Sequence, residues 1–203
     1  MMSNKKILIV SILIVGLMMT LSTSFAEQER KMTDTMTVIH SRKSVRNFTG
    51  QTVSKDLLNK IVRAGMAAPS AVNRQPWSFI VVTDRKTLDK LNEGLPYAKM
   101  LGKAGAAIIV CAIPEKAYEG SKEMAIIDST LASENILLAV EASGLGAVWT
   151  AAYPYEDRMD VARNALGIPG SVIPLNVIPI GQPAGTDKPK NKYKPENIHW
   201  ERW

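Results

Sequence analysis

Apolar residues run almost unbroken from Ile7 to Met19 behind Asn4, Lys5 and Lys6, and this stretch stands apart from the rest of the chain. Beyond it the apolar positions come in short periodic groups. Asp34 is placed to cap a short helix carrying Met36, Val38 and Ile39, which ends near the basic cluster Ser41 to Arg46. Ser54 caps a second helix in which Leu57, Leu58, Ile61 and Val62 follow helical spacing, and Pro69 stops it after Ala68. A loop from Pro69 to Pro76 follows. The β-branched run Phe79 to Thr83 and the continuous apolar run Ala106 to Ile113 predict two buried strands, with a helical segment at Thr87 to Leu91 between them. The longest helix is predicted over about Met124 to Ser143, where Ile127, Leu131, Glu134, Leu138 and Glu141 are spaced by three or four and Gly144 supplies the stop. Gly146 to Ala152 then predicts a short strand or extended loop and Glu156 to Leu166 a helix. Val172 to Ile180 predicts an extended segment interrupted by Pro174 and Pro179.

Strands and helices therefore mix without the regular βαβ alternation or Gly-rich first turn of a dinucleotide fold. The expected class is α+β, with a mixed central sheet sandwiched by helices. A chain of 203 residues, 46% hydrophobic and 22% charged, suits one domain with a full core. The apolar start, the polar turn at Thr20 to Ser24 and the small-x-small triplet Ser24-Phe25-Ala26 mark residues 1–26 as a signal peptide. An uncleaved anchor is the alternative reading. Residues 27–36 then form a linker and residues 37–203 the domain. No Cys stands at the processing site after the apolar stretch and no Arg pair precedes it, so export to the periplasm or cell envelope by a Sec-type route is expected, with no membrane span left after cleavage.

Charge and cysteine narrow the chemistry further. The formal charge of +6 would lose Lys5 and Lys6 on cleavage, and part of the remainder sits in Lys188, Lys190, Lys192 and Lys194. An anionic ligand is favoured, and nucleic acid is the weaker candidate because no recognised nucleic-acid motif accompanies the charge. The lone Cys111 lies in an apolar run and packs as a small hydrophobe. His40 and His199 lack neighbours at ligand spacing, so no metal site is expected.

Two clusters carry candidate chemistry. In Ser41-Arg42-Lys43-Ser44-Val45-Arg46-Asn47-Phe48, alternation puts Arg42, Ser44 and Arg46 on one side of an extended segment, where two guanidinium forks and a hydroxyl could converge on an anion. The plain reading of such a cluster is a solvated basic turn. In Ala67-Ala68-Pro69-Ser70-Ala71-Val72-Asn73-Arg74-Gln75-Pro76-Trp77, small residues between two prolines let backbone approach a flat ligand, and Asn73 and Gln75 offer amides. Its plain reading is a helix-to-strand connection anchored by Trp77.

Taken together, these segments resemble the nitroreductase family, whose members carry an Arg-x-Ser-x-Arg/Lys segment followed by a Pro-Ser-x-x-Asn-x-Gln-Pro-Trp loop. The resemblance continues through Asn135 to Ala139, Gly144 to Thr150, Lys190-Asn191-Lys192 and His199 to Trp203, so it covers about Thr37 to Trp203. It implies a homodimer with FMN at the subunit interface, and a ping-pong reduction of nitroaromatic, quinone or similar small acceptors by NAD(P)H. Arg42 and Ser44 match residues that hold the flavin's phosphate and ribityl side, and Arg46 a basic residue near the ring's N1 and C2 carbonyl. Asn73, in the loop with Pro69, Ser70 and Gln75, matches an amide that reaches the flavin from the partner subunit. Trp149, Thr150 and Ala151 lie where the family runs backbone past the ring. Lys190 and Lys192 match a basic pair on the phosphate, where the family usually has an Arg; two lysines keep the charge and lose the fork. No catalytic acid or base of the protein is implied, since the flavin carries the chemistry. The same fold also hosts reductive dehalogenation, flavin fragmentation and azoline oxidation, and a non-catalytic flavin-binding protein of the envelope is a further reading.

Overall fold

The computed structural model describes residues 35–203; the expected signal segment, Asp34 and most of the linker lie outside them. The chain divides into two units, residues 1–40 and 41–203. In the first, the described residues 35–40 are helical. The second holds the sheet.

The Ser54 hydroxyl accepts from the Leu57 N–H at 3.3 Å and starts α1 (Lys55–Met66), whose stripe of Leu58, Ile61, Val62 and Gly65 is buried. The helix closes at Met66, two residues earlier than the sequence suggests. A residue preceding proline is held out of the α region, so Ala68 cannot join the last turn. After β1 (Trp77–Val82), Asp84 accepts from both the hydroxyl and the N–H of Thr87 at 2.8 Å and caps α2 (Arg85–Gly94). Those two bonds hold its carboxyl below the usual range. Then come β2 (Ala106–Ala112), α3 (Lys122–Ala142), β3 (Gly146–Ala147), β4 (Thr150–Ala151), α4 (Glu156–Leu166) and β5 (Ile173–Gly181).

The strands pair in the order β1-β2-β5-β3, with β4 also on β5. Every pair of named strands is antiparallel, and the parallel component of the expected mixed sheet is confined to the Ser44–Ala147 bridge. Alternation along β2 sends Ala106, Ile108 and Val110 to one core, with α1 and α3. Ala107, Ile109 and Cys111 face the other, with α2 and α4. Both faces are covered, so Ile108, Ile109, Ile178 and Ile180 are fully buried, each worth about 1.5–3 kcal/mol. Burial alone pushes the Cys111 thiol up to about 12, which keeps it protonated and inert.

β5 is one fully buried strand where the sequence suggested an interruption at both prolines, and beside Pro174 its pairing with β2 does shift register, skipping Leu175, whereas at Pro179 it runs on regularly. The reason lies in the backbone directions. Ile180 O accepts from Gly105 on the β2 side, whereas Leu175 O accepts from Ala152 beside β4, so by alternation Pro179 turns its backbone toward β3 and β4. There β3 covers Ile180 and Gly181 and β4 covers Asn176 and Val177. The missing proline N–H falls in the gap between them, where no ladder bond is forfeited. Val148 and Trp149 bridge that gap outside the ladder, and Trp149 emerges half-exposed.

Candidate functional site

The segment from Arg42 to Phe48 is laid against the sheet edge: Val45 N–H donates to Ala147 O at 2.8 Å, and Phe48 bridges to Pro183. Val45 is buried, so its neighbours Ser44 and Arg46 turn outward, Ser44 half-buried and Arg46 exposed. Two of the cations are tied to α3. Arg42 Nε lies 3.4 Å from Glu134 Oε1 and Lys43 Nζ lies 2.8 Å from Glu141 Oε1, the two glutamates being two helical turns apart on one face. Among the described residues Arg42 uses Nε alone, which leaves its two terminal NH2 groups as donors there. Arg46 has no hydrogen bond or ion pair among the described residues.

The loop after α1 gathers three of the positive-φ residues other than glycine among the described residues. Val72, Asn73 and Gln75 hold φ of +44°, +59° and +51°, a left-handed backbone that costs side-chain-bearing residues about 1–2 kcal/mol each. A β-branched valine there is an outlier. Specific bonds offset the cost: Asn73 N–H donates to Ser70 O at 3.0 Å, Gln75 N–H to Ser70 Oγ at 2.9 Å, and Trp77 N–H to Gln75 O at 2.8 Å. The Asp128 carboxylate, buried on α3, accepts from Ala71 N–H at 3.3 and 3.2 Å through its two oxygens. Ser129 Oγ donates to Pro76 O at 3.4 Å, and Trp77 is sunk into the core as the loop's anchor. Asn73 and Gln75 remain exposed and linked, Gln75 Nε2 donating to Asn73 Oδ1 at 2.9 Å. Strain braced in this way makes the loop a candidate for function.

Asp128→Ala is expected to destabilise the fold by about 2 kcal/mol, the scale of a hydrogen bond to a charged acceptor, and to raise the proteolytic sensitivity of the Pro69–Pro76 loop. Chemical denaturation and limited proteolysis read both effects.

Thr150 is buried, its hydroxyl donating to Val177 O at 2.6 Å, and Ala151 pairs with Asn176. The side chain of Asn176 donates to Ser133 Oγ at 2.7 Å, which in turn donates to Ser129 O at 2.9 Å. A run of polar contacts along α3 thus reaches from the Thr150–Ala151 strand to the Pro69–Pro76 loop. Lys190 and Lys192 lie on the exposed, irregular chain that precedes the short turn Pro195–Asn197. The contacts that Asp128, Glu134 and Glu141 make were not legible in the sequence, although an Asp on the apolar face of a buried helix was the available signal. Among the described residues no group of three or more His, Cys, Asp and Glu side chains could hold a metal ion.

Residues 39–95 and 90–182 match the family model described as the Nitroreductase family. A relative from Methanothermobacter thermautotrophicus, provisionally named NADH dehydrogenase/NAD(P)H nitroreductase, is 42% identical over 170 residues, spanning 84% of this chain and 88% of the relative. A crystal structure from Parabacteroides distasonis under the same provisional name superposes with a TM-score of 0.79 at 49% identity, covering 83% of this chain and 98% of that one. A provisionally named nitroreductase from Desulfovibrio desulfuricans, solved in complex with FMN, gives a TM-score of 0.71 at 27% identity over 83% of this chain and 97% of its own.

Proposed function

The chain belongs to the nitroreductase family, and from that membership we propose that it is an FMN-dependent oxidoreductase passing a hydride from NAD(P)H to a nitroaromatic, quinone or similar small acceptor. The observation that carries this reading is the strained loop at Val72 to Gln75, braced by Asp128 and presenting the Asn73–Gln75 amide pair to solvent. The donor set fits the cofactor: the two NH2 groups of Arg42, the Ser44 hydroxyl and Arg46, the guanidinium groups without a further partner among the described residues, lie along one extended segment.

When bound, FMN supplies the hydride-carrying ring. The protein's part is to hold it. Arg42, with Lys190 and Lys192, takes the phosphate; Ser44 takes the ribityl chain. Arg46 sets a fixed positive charge beside the pyrimidine edge, which raises the affinity for electrons. The backbone of Trp149, Thr150 and Ala151 forms the floor, and Pro69, Ser70, Asn73 and Gln75 close the site from a second protomer. Donor and acceptor use the same slot in turn, a ping-pong order that needs orientation and no acid or base of the protein.

A homodimer is part of this reading. Ile127 and Leu131 are exposed on α3 on the side away from its buried stripe, and Val72, Trp149, Trp200 and Trp203 are exposed as well. Apolar surface of this extent suits a second copy of the chain. Residues 1–26 carry the pattern of an export signal, so the mature protein is proposed to act in the periplasm or cell envelope.

Purification followed by anaerobic addition of NADH or NADPH tests the reading. A yellow dimer whose flavin bleaches, and regains its colour with a quinone or nitroaromatic, is the expected result. A flavin that ignores both donors would instead make the protein a non-catalytic flavin binder.

A further inference from the structure

Among the described residues the buried polar side chains are Asp128, Ser129, Ser133, Thr150 and Asn176, and all five lie between the Thr150–Ala151 strand and the Pro69–Pro76 loop. Asn176 stands at the strand end. It is fully buried on β5, on the face that carries Ile178 and Ile180, and its Nδ2 donates to Ser133 Oγ at 2.7 Å. Its Oδ1 is buried with no hydrogen-bond partner among the described residues. A half-satisfied amide in an apolar layer lowers stability relative to an aliphatic side chain of similar size. Ser129 and Ser133 lie in the buried stripe of α3, where serine is a poorer helix former than alanine. Packing alone would favour apolar residues at all three positions.

What the three residues share is direction. Across the ladder Asn176 pairs with Ala151, next to Thr150, whose hydroxyl donates to Val177 O at 2.6 Å. Along α3, Ser133 Oγ donates to Ser129 O at 2.9 Å and Ser129 Oγ to Pro76 O at 3.4 Å, while Asp128 holds the Ala71 N–H. The run therefore starts beneath the Thr150–Ala151 backbone and grips the strained loop at Ala71 and Pro76, on either side of Val72 to Gln75.

We propose that Asn176 is a positioning residue, which through Ser133 and Ser129 fixes the spacing between the Thr150–Ala151 floor and the Pro69–Pro76 loop. This rests on the proposed function, in which each flavin lies on one protomer's floor and is closed by the other protomer's loop. Two-fold symmetry then makes the floor-to-loop spacing within each chain the spacing between the two sites, so an error in it opens both. Directional hydrogen bonds hold such a spacing. Apolar contacts are non-directional and would let the sheet and helix settle at other offsets.

The test uses Asn176→Leu, which replaces the amide by an aliphatic group of similar size and leaves Ser133 Oγ its bond to Ser129 O. The Tm of the apoprotein is expected to stay within about 2 °C of the native value or to rise, while FMN binds about tenfold more weakly in a fluorescence titration, a loss of about 1.4 kcal/mol. Trypsin cleavage after the exposed Arg74, identified by mass spectrometry, should become about threefold faster. Native FMN affinity and native cleavage rate in the variant would overturn the proposal, whatever the Tm. Ser129→Ala cuts the run at its other end, and Pro76 O keeps the Ile113 N–H at 2.8 Å, so no buried group is left without a partner. Its FMN affinity should fall about threefold, and the double variant should bind no more weakly than Asn176→Leu. Additive losses would mean that the two residues act separately and would overturn the proposal. If Asn176→Leu does not fold, Ser129→Ala decides: unchanged affinity and cleavage rate refute it. A native protein without flavin would sink the proposed function instead, and cleavage at Arg74 would still show whether the run sets the loop.

Discussion

Replacing Arg42 by alanine is expected to weaken FMN binding about thirty- to a hundred-and-fiftyfold, because charge-assisted hydrogen bonds to a phosphate are worth about 2–3 kcal/mol. Arg42 is half-buried and held at one nitrogen by Glu134, so its fork is oriented before the ligand arrives. The same ion pair offers a control. If Arg42 mattered only by tying the basic segment to α3, Glu134→Gln would mimic the alanine variant. If it holds phosphate, Glu134→Gln would remove a competing carboxylate and leave flavin affinity equal or slightly higher. Glu134 is about half exposed, so its loss costs the fold little. Arg42→Lys should fall between, keeping charge without the bidentate fork. Fluorescence titration of the apoprotein with FMN measures all three. Full flavin occupancy in Arg42→Ala would refute the phosphate assignment.

Local chemistry made much of the fold readable. Ser54, Gly144 and the apolar spacing between them set α1 and α3 nearly to the residue, and α4 spans Glu156–Leu166 as the pattern says. Such features depend on neighbours three or four positions away. The candidate site depends on partners far apart in sequence. Asp128 reaches Ala71 across 57 positions, and Lys43 reaches Glu141 across 98. No periodicity encodes either pairing. Pro179 shows the limit from the other side: its missing N–H argued against a strand, and only the gap between β3 and β4 reveals why the strand tolerates it.

Gly146→Ala is expected to be among the most damaging single-methyl changes to the site. A Cβ at Gly146 would stand 2.7 Å from both Cβ and Cγ1 of Val45 and 2.9 Å from Cγ2. Neither partner can yield cheaply: Ala147, next to Gly146, accepts the Val45 N–H at 2.8 Å, and Gly146 itself pairs with Gly181 on buried β5. The clash must be relieved by moving the segment that carries Ser44 and Arg46. Overpacking of this kind costs about 2–3 kcal/mol, which for a chain of this size lowers Tm by about 6 °C. Flavin content should fall with it, because the displaced segment supplies the donors. Val45→Ala removes both Cγ contacts and leaves the Cβ contact, so the double variant should recover part of the loss. Its destabilisation should be smaller than the sum of the single changes by more than about 0.5 kcal/mol. Strict additivity, with flavin fully bound in Gly146→Ala, would mean that the strain is absorbed in β5 and that the site does not depend on this contact.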